Sequence, residues 1–220
     1  MTRPESRGEI ALSIAAFFGS LALNAAAVRF VESAGNLVSP VPDTVLKHLP
    51  LVDTRFVYLW GAALFIIVAF AATLTLERGR LGYIARLYAA LIAVRSGLMV
   101  LTPMHVPVGE MTLEGHPAFA AVRYFTVHND LFFSLHTALP FLGFLAFRNR
   151  PVKLACLGFS IVLAAAVLLG RNHYSIDVAG AYLITYSVFR LVPAPEARAP
   201  RTDPARRSEP REERAALTAA

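Results

Sequence analysis

The chain has 220 residues, 56% hydrophobic and only 16% charged, with a mean hydropathy of +0.54 and a formal net charge of +6. Soluble domains sit nearer roughly 45–50% apolar and about 25% charged, so this balance excludes an ordinary soluble globule and points to an integral membrane protein. The basic excess lies mostly in connections and tail, without an aromatic-interleaved basic patch, which argues against nucleic acid; the lone Cys156, inside an apolar run, excludes an intrachain disulfide.

Six apolar stretches read as spanning helices, at roughly 10–31, 56–76, 83–103, 131–147, 152–170 and 176–192, each near the roughly 20 residues needed to cross the hydrocarbon. The expected fold class is an all-α integral membrane protein with six transmembrane helices over residues 1–192. The remaining 193–220, rich in Pro, Ala, Arg and Glu, has almost nothing to bury and reads as a disordered cytoplasmic tail.

In chain order, the first stretch has the outline of a signal peptide, with Arg3, Arg7 and then Ala25-Ala26-Ala27. Its apolar run is long, however, and Glu5 and Glu9 dilute the basic head, so it reads as a span. The following loop carries Ser39-Pro40-Val41-Pro42-Asp43, whose prolines stiffen a connection expected to have no helix of its own. Tyr58, Trp60 and Tyr83 read as interfacial anchors. Arg95 is a charge inside the third apolar run, costly unless it is paired or faces a polar cavity. The longest loop, about 104–129, holds His105, Glu110, Glu114, His116 and His128, and length of that kind marks a lid, a binding surface or disorder.

Two polar interruptions then carry chemistry. Asp130-Leu131-Phe132-Phe133-Ser134-Leu135-His136-Thr137 opens the fourth span, which Pro140 should kink unless neighbouring helices absorb it. Arg171-Asn172-His173-Tyr174-Ser175-Ile176-Asp177 separates the fifth and sixth. His173 and Asp177 are spaced i, i+4, sharing one face if both are helical, and a carboxylate there orients the imidazole and raises its basicity. The bland alternative is a capping pair at a helix N-terminus, as an N-cap is for Asp130 and a carboxylate partner is for Arg95.

With a cytoplasmic N-terminus, Arg3, Arg7, Arg78, Arg80, Arg86, Arg148, Arg150, Lys153, Arg190 and the tail arginines face inward. Only Arg29, Lys47, Arg55, Arg95, Arg123 and Arg171 remain outward or near it, together with all six histidines. The expected address is the plasma (inner) membrane, with both termini cytoplasmic and the chemistry extracytoplasmic. A histidine backed by aspartate is a nucleophile or general base, and a second histidine can protonate a leaving oxygen. A buried arginine donates two parallel hydrogen bonds to phosphate oxygens. His136, His173 and Asp177 are the candidate catalytic residues; Arg95, Asp130, Ser134 and Arg171 are candidate phosphate-binding residues. No cofactor or metal is expected.

Asp130-x-x-x-Ser134-Leu135-His136-Thr137 together with His173-Tyr174-Ser175-Ile176-Asp177-Val178-x-x-Ala181-Tyr182 resembles the two signature motifs of the sphingomyelin synthase family, a branch of the type 2 phosphatidic acid phosphatase superfamily. Pro40-Val41-Pro42-Asp43 resembles that family's proline-rich first-loop motif, and Arg95 with Met99 its third-span arginine motif. The resemblance implies a six-span bundle with a His-His-Asp site facing away from the cytoplasm. It also implies transfer of a phospho-headgroup from a glycerophospholipid to a lipid hydroxyl such as that of ceramide. By position, His173 would be nucleophile or base, Asp177 its orienter and His136 the acid, with Asp130 at the rim.

The chain departs from the pattern at Leu135, where the family has glycine, and at His128-Asn129, where it has Cys-Gly. The phosphatase branch's Lys-x6-Arg-Pro motif is absent, which tilts the reading from a lipid phosphate phosphatase, the close rival, toward a transferase. Two other classes are a haem-carrying membrane protein, disfavoured because the histidines gather at one face, and a non-catalytic lipid-binding member, supported only by Leu135. The expected partners are a membrane phospholipid donor and a lipid alcohol or water as acceptor.

Overall fold

A computed structural model describes residues 5–35, 38–112 and 131–194. Its elements are α1 (Arg7–Gly35), α2 (Thr44–His48), a π-helical turn (Val57–Gly61) running into α3 (Ala62–Thr75), a 3-10 turn (Arg78–Arg80) running into α4 (Leu81–Leu101), α5 (Leu135–Ala146), α6 (Arg150–Leu169) and α7 (Ser175–Leu191). All six apolar runs are therefore helical, as expected where no water is at hand to satisfy backbone groups. Four helical stretches are long and apolar enough to cross a bilayer: Arg7–Ala34, Val57–Thr75, Arg78–Leu101 and Arg150–Leu169. At 12 and 17 residues, α5 and α7 rise only about 18 and 25 Å against a hydrocarbon core of about 30 Å. The arrangement is that of a membrane protein, with four spans by length and composition among the described residues.

The bundle wears its apolar side chains outward. Leu12, Phe18, Ile66, Ile67, Phe70, Ile161 and Leu183 are all more than half exposed, while Arg95, Ser134, Thr137, Ser160 and Asp177 are buried. A belt of that extent has a solvent only in lipid. Helix α1 packs along α4, and α5 lies against α6 and α7. Small and polar residues let α5 and α6 approach: a Cβ at Gly143 would stand 2.9 Å from Cys156 Sγ. Ser160 Oγ donates to the Thr137 carbonyl at 3.0 Å, beside the turn whose hydrogen bond Pro140 removes. Helix α5 stays continuous through that proline.

One expectation fails in the first loop. Residues Thr44–His48 form a helix because Asp43 caps it, its Oδ1 accepting from the amides of Val45 and Leu46 at 2.8 and 3.0 Å. Another fails at the aromatics. Trp60 is half exposed, but Tyr58 and Tyr83 are 6% and 2% exposed. Tyr83 lies under the Arg80 guanidinium, 5.0 Å from its ring centre, so neither tyrosine faces the interface.

The end of the bundle away from the two motifs is closed by a buried carboxylate. Glu77 accepts from Arg80 Nη1 at 2.9 Å and from the Arg148 amide at 2.7 Å, and Arg80 Nη1 also donates to the Ala146 carbonyl. The end of α3 is thereby joined to the α5–α6 turn, while Glu5 reaches the Gly82 amide and Arg86. Because Glu77 and Arg80 are both nearly buried, removing one partner leaves the other charged and unpaired. Glu77→Ala is expected to cost about 3 kcal/mol, measured as a lowered unfolding temperature of the detergent-solubilised protein with the motif residues untouched.

Candidate active site

Helix α6 ends on a residue sequence that offers no glycine where one is usual. The Asn172 amide donates to the Val167 carbonyl and the Arg171 amide to Leu168, which is the paired closure that puts the intervening residue in the left-handed region. That residue is Arg171, at φ 54°, a conformation costing a non-glycine side chain roughly 1–2 kcal/mol. The side chain is used in return: Arg171 Nη1 donates to the Val108 carbonyl at 2.9 Å. Val108 sits in a turn closed by the Glu110 amide on the Pro107 carbonyl, with Gly109 at φ 81°, as that turn type demands. Arg171 therefore fastens the 104–112 segment at the rim.

The other carbonyls at this end find partners from two loops, which is how helix termini are satisfied when buried. Thr54 Oγ1 donates to Ala166 O at 2.9 Å, the Val52 amide to Leu169 O, and the Met111 amide to Gly170 O. Gly170 has no room for a side chain, since a Cβ there would stand 2.5 Å from Thr54 Oγ1.

His173 follows, 4% exposed, its Nδ1 3.3 Å from Asp177 Oδ2. The shared helix face expected from their spacing is corrected in detail. Helix α7 begins at Ser175, so His173 precedes it, and the contact is made across the helix start. Asp177 Oδ2 also accepts from the Tyr174 amide at 2.9 Å, so the carboxylate caps the helix and orients the imidazole at once. Asp177 is fully buried, and its Oδ1 has no hydrogen-bond partner. With Nδ1 engaged, Nε2 is left without a hydrogen bond among the described residues.

The second histidine is brought up by a separate thread. Arg95, 1% exposed, donates from Nε to the Phe133 carbonyl at 2.7 Å and from Nη1 to Asn24 Oδ1 at 3.1 Å, with Met99 Sδ 3.4 Å away. The next residue, Ser134, is fully buried; its amide donates to the Asp177 carbonyl at 3.3 Å and its hydroxyl accepts from Thr137 Oγ1. His136 is then the second residue of α5, half-buried, its ring stacked on Tyr58 with centroids 4.0 Å apart and planes tilted 30°. It lies within electrostatic reach of His173 and Arg95. His136, His173, Asp177, Arg95 and Ser134 thus gather at one end of the bundle, with Arg171 at its edge. Asp130 lies outside the described residues, as do His116 and His128. His48 contacts the Thr44 carbonyl within α2, and His105 the Val106 carbonyl in its loop.

Sequence reasoning missed Asn24, Thr54 and Tyr58 as parts of this end. Asn24 had a signal, an amide inside an apolar run. Thr54 and Tyr58 had none, because a loop threonine and an interfacial tyrosine are unremarkable by pattern. The first-loop motif, by contrast, has a role. Tyr174 Oη accepts from the Val41 amide at 3.0 Å and donates to the His105 carbonyl at 2.9 Å, and the Ser175 amide donates to Asp43 Oδ2 at 2.6 Å. Asp43 so caps α2 with one oxygen and the start of α7 with the other.

Residues 127–194, which contain His136, His173 and Asp177, match a family model described as PAP2 superfamily C-terminal. The match supports the PAP2 superfamily over that stretch. No curated protein matches the chain.

Burial by itself would raise the Asp43 pKa, but the hydrogen bonds from Leu46, Ser175 and Val45 together outweigh it and hold the carboxyl below its ordinary 3.8. A folded value below the unfolded one means that ionised Asp43 stabilises the fold above the ordinary value, and that this is lost as pH falls through the lower folded value. Thermal unfolding of the solubilised protein between about pH 7 and about pH 3 is expected to show Asp43→Asn less stable than wild type at neutral pH, the gap narrowing toward the acid end.

Proposed function

We propose that this chain is a membrane lipid phosphotransferase resembling sphingomyelin synthase, moving a phosphocholine- or phosphoethanolamine-type headgroup from a glycerophospholipid to a lipid hydroxyl such as that of ceramide. The observation that carries the reading is the buried His173–Asp177 pair, joined through the Ser134 amide on the Asp177 carbonyl to the segment that carries His136, inside the stretch that matches the PAP2 C-terminal model. In this reading the bundle crosses the membrane six times. The Glu77 end, with Arg78, Arg80, Arg148, Arg150 and Lys153, faces the cytoplasm of an inner-membrane protein, and the His173 end faces out. The short helices α5 and α7 begin below the outer surface, so the site sits in a recess that a headgroup reaches from the bilayer edge.

His173 Nε2 attacks phosphorus, or deprotonates the acceptor hydroxyl that attacks it; Asp177 holds the Nδ1 proton and stabilises the imidazolium. His136 gives its proton to the departing diacylglycerol oxygen; where His173 has taken the phosphoryl group, His136 then takes the proton of the acceptor hydroxyl as that oxygen bonds to phosphorus and the N–P bond breaks. Arg95 supplies positive charge from within the bundle to the developing phosphoryl charge, while Ser134, Asp130 and Arg171 border the headgroup. With water as acceptor, the same steps make a lipid phosphate phosphatase.

Purified protein in vesicles of phosphatidylcholine, phosphatidylethanolamine and phosphatidic acid with ceramide, read by mass spectrometry and phosphate release, is expected to yield a phospho-sphingolipid and diacylglycerol. Phosphate released from phosphatidic acid, with no new sphingolipid, would move the assignment to the phosphatase. No turnover of either lipid class would sink the enzyme reading. His173→Ala and His136→Ala are each expected to lower turnover by about 100-fold or more without loss of the folded, monodisperse protein.

A further inference from the structure

The two histidines of the site are held by unlike devices. His173 is fixed through a hydrogen bond from its ring to a buried carboxylate. Among the described residues no hydrogen bond is made by the His136 ring; what it has is the face of Tyr58, 4.0 Å away between centroids. The ring also borders an apolar groove of about 280 Å³, of which Tyr58 is itself a wall together with Ala62, Ala63, Leu139 and Leu163. A side chain beside so much open space has room to rotate away unless one wall retains it.

The backbone beneath Tyr58 is built for that wall. It belongs to the π-helical turn Val57–Gly61 at the head of α3, and such turns re-aim side chains at functional sites. Within that turn Trp60 is 51% exposed to the bilayer side while Tyr58, two residues before it, is 6% exposed and turned inward. The turn itself is seated on α6, since a Cβ at Gly61 would stand 3.1 Å from Leu163 Cδ2. Helix α6 also carries the turn bearing His173, so one helix references both rings.

We propose that Tyr58 is a positioning residue: its aromatic face retains the His136 imidazole beside the groove and aims it at the leaving oxygen. This rests on the acid role given to His136 above. The contact is face to face, so the ring and not the phenol hydroxyl does the holding, and it leaves both imidazole nitrogens available for proton transfer.

The test compares Tyr58→Phe, which keeps the ring, with Tyr58→Leu, which keeps bulk without an aromatic face. Tyr58→Leu is expected to lower kcat by about 10-fold or more with KM within about twofold of wild type, since a small misplacement of a catalytic group acts on the chemical step; Tyr58→Phe is expected to retain kcat within about threefold. A wild-type kcat in Tyr58→Leu, a loss confined to KM, or a Tyr58→Phe as defective as Tyr58→Leu would each overturn the proposal. A second readout needs no turnover: carbethoxylation of His136 by diethyl pyrocarbonate, followed by peptide mass spectrometry. Releasing the ring is expected to raise its rate about threefold or more in Tyr58→Leu and not in Tyr58→Phe. Equal rates in all three proteins would refute the positioning role. The expected rates in a protein inert toward lipids would leave the positioning in place and remove the enzymatic reading instead. Should Tyr58→Leu not fold, Tyr58→Met is read against the same outcomes.

Discussion

Asp177 is a carboxylate with no access to solvent, and taking such a group out of water is affordable only where polar hydrogens wait for it. Here those hydrogens come from the Tyr174 amide and the His173 ring. Because the amide belongs to the start of α7, the carboxylate cannot be satisfied unless the helix begins where it does. Because the ring belongs to the turn leaving α6, that turn must close as it does. The same residue's carbonyl takes the Ser134 amide, which brings up the segment leading into α5. One buried acid thus sets the relative placement of three chain segments.

Around it, loops serve as structure. The first loop delivers Val41 and Asp43 to Tyr174 and Ser175. The 104–112 segment is held by Arg171, Asn172 and Tyr174. Residues 52–54 satisfy the last carbonyls of α6. Each bond satisfies a backbone group that would otherwise need water or another partner. The left-handed Arg171 belongs to the same economy of placement. Glycine would adopt that conformation more readily, but it has no guanidinium to hold the loop.

The capping and catalytic readings of His173 and Asp177 are not rivals here. An acidic side chain near a helix N-terminus is favoured by the helix itself, so the same oxygen that caps α7 also holds the histidine ring. Arg95 shows a similar doubling. Its contacts with Asn24 and the Phe133 carbonyl tie α1 and α4 to the approach to α5, which makes it a brace of the fold at the place where its charge reaches His136.

The apolar runs and their polar interruptions were legible in the amino-acid sequence because hydrophobic stretches of helical length have one way to satisfy their backbone in lipid. The i, i+4 spacing of His173 and Asp177 was legible because four residues set a reach whether or not both are helical. Tyr58 was misread for a local reason: pattern cannot tell an aromatic that faces lipid from one that a π-helical turn rotates inward onto His136. The helix Thr44–His48 was missed because two prolines in sight outweighed a capping aspartate whose second oxygen finds Ser175 more than 130 residues away. By itself, the sequence determined which residues could do chemistry and that lipid would surround them, since composition and spacing are properties of the chain. Only the tertiary structure decided that Asn24, Thr54 and Tyr58 share that end of the bundle, because long-range contacts are set by how helices pack and not by any periodicity along them.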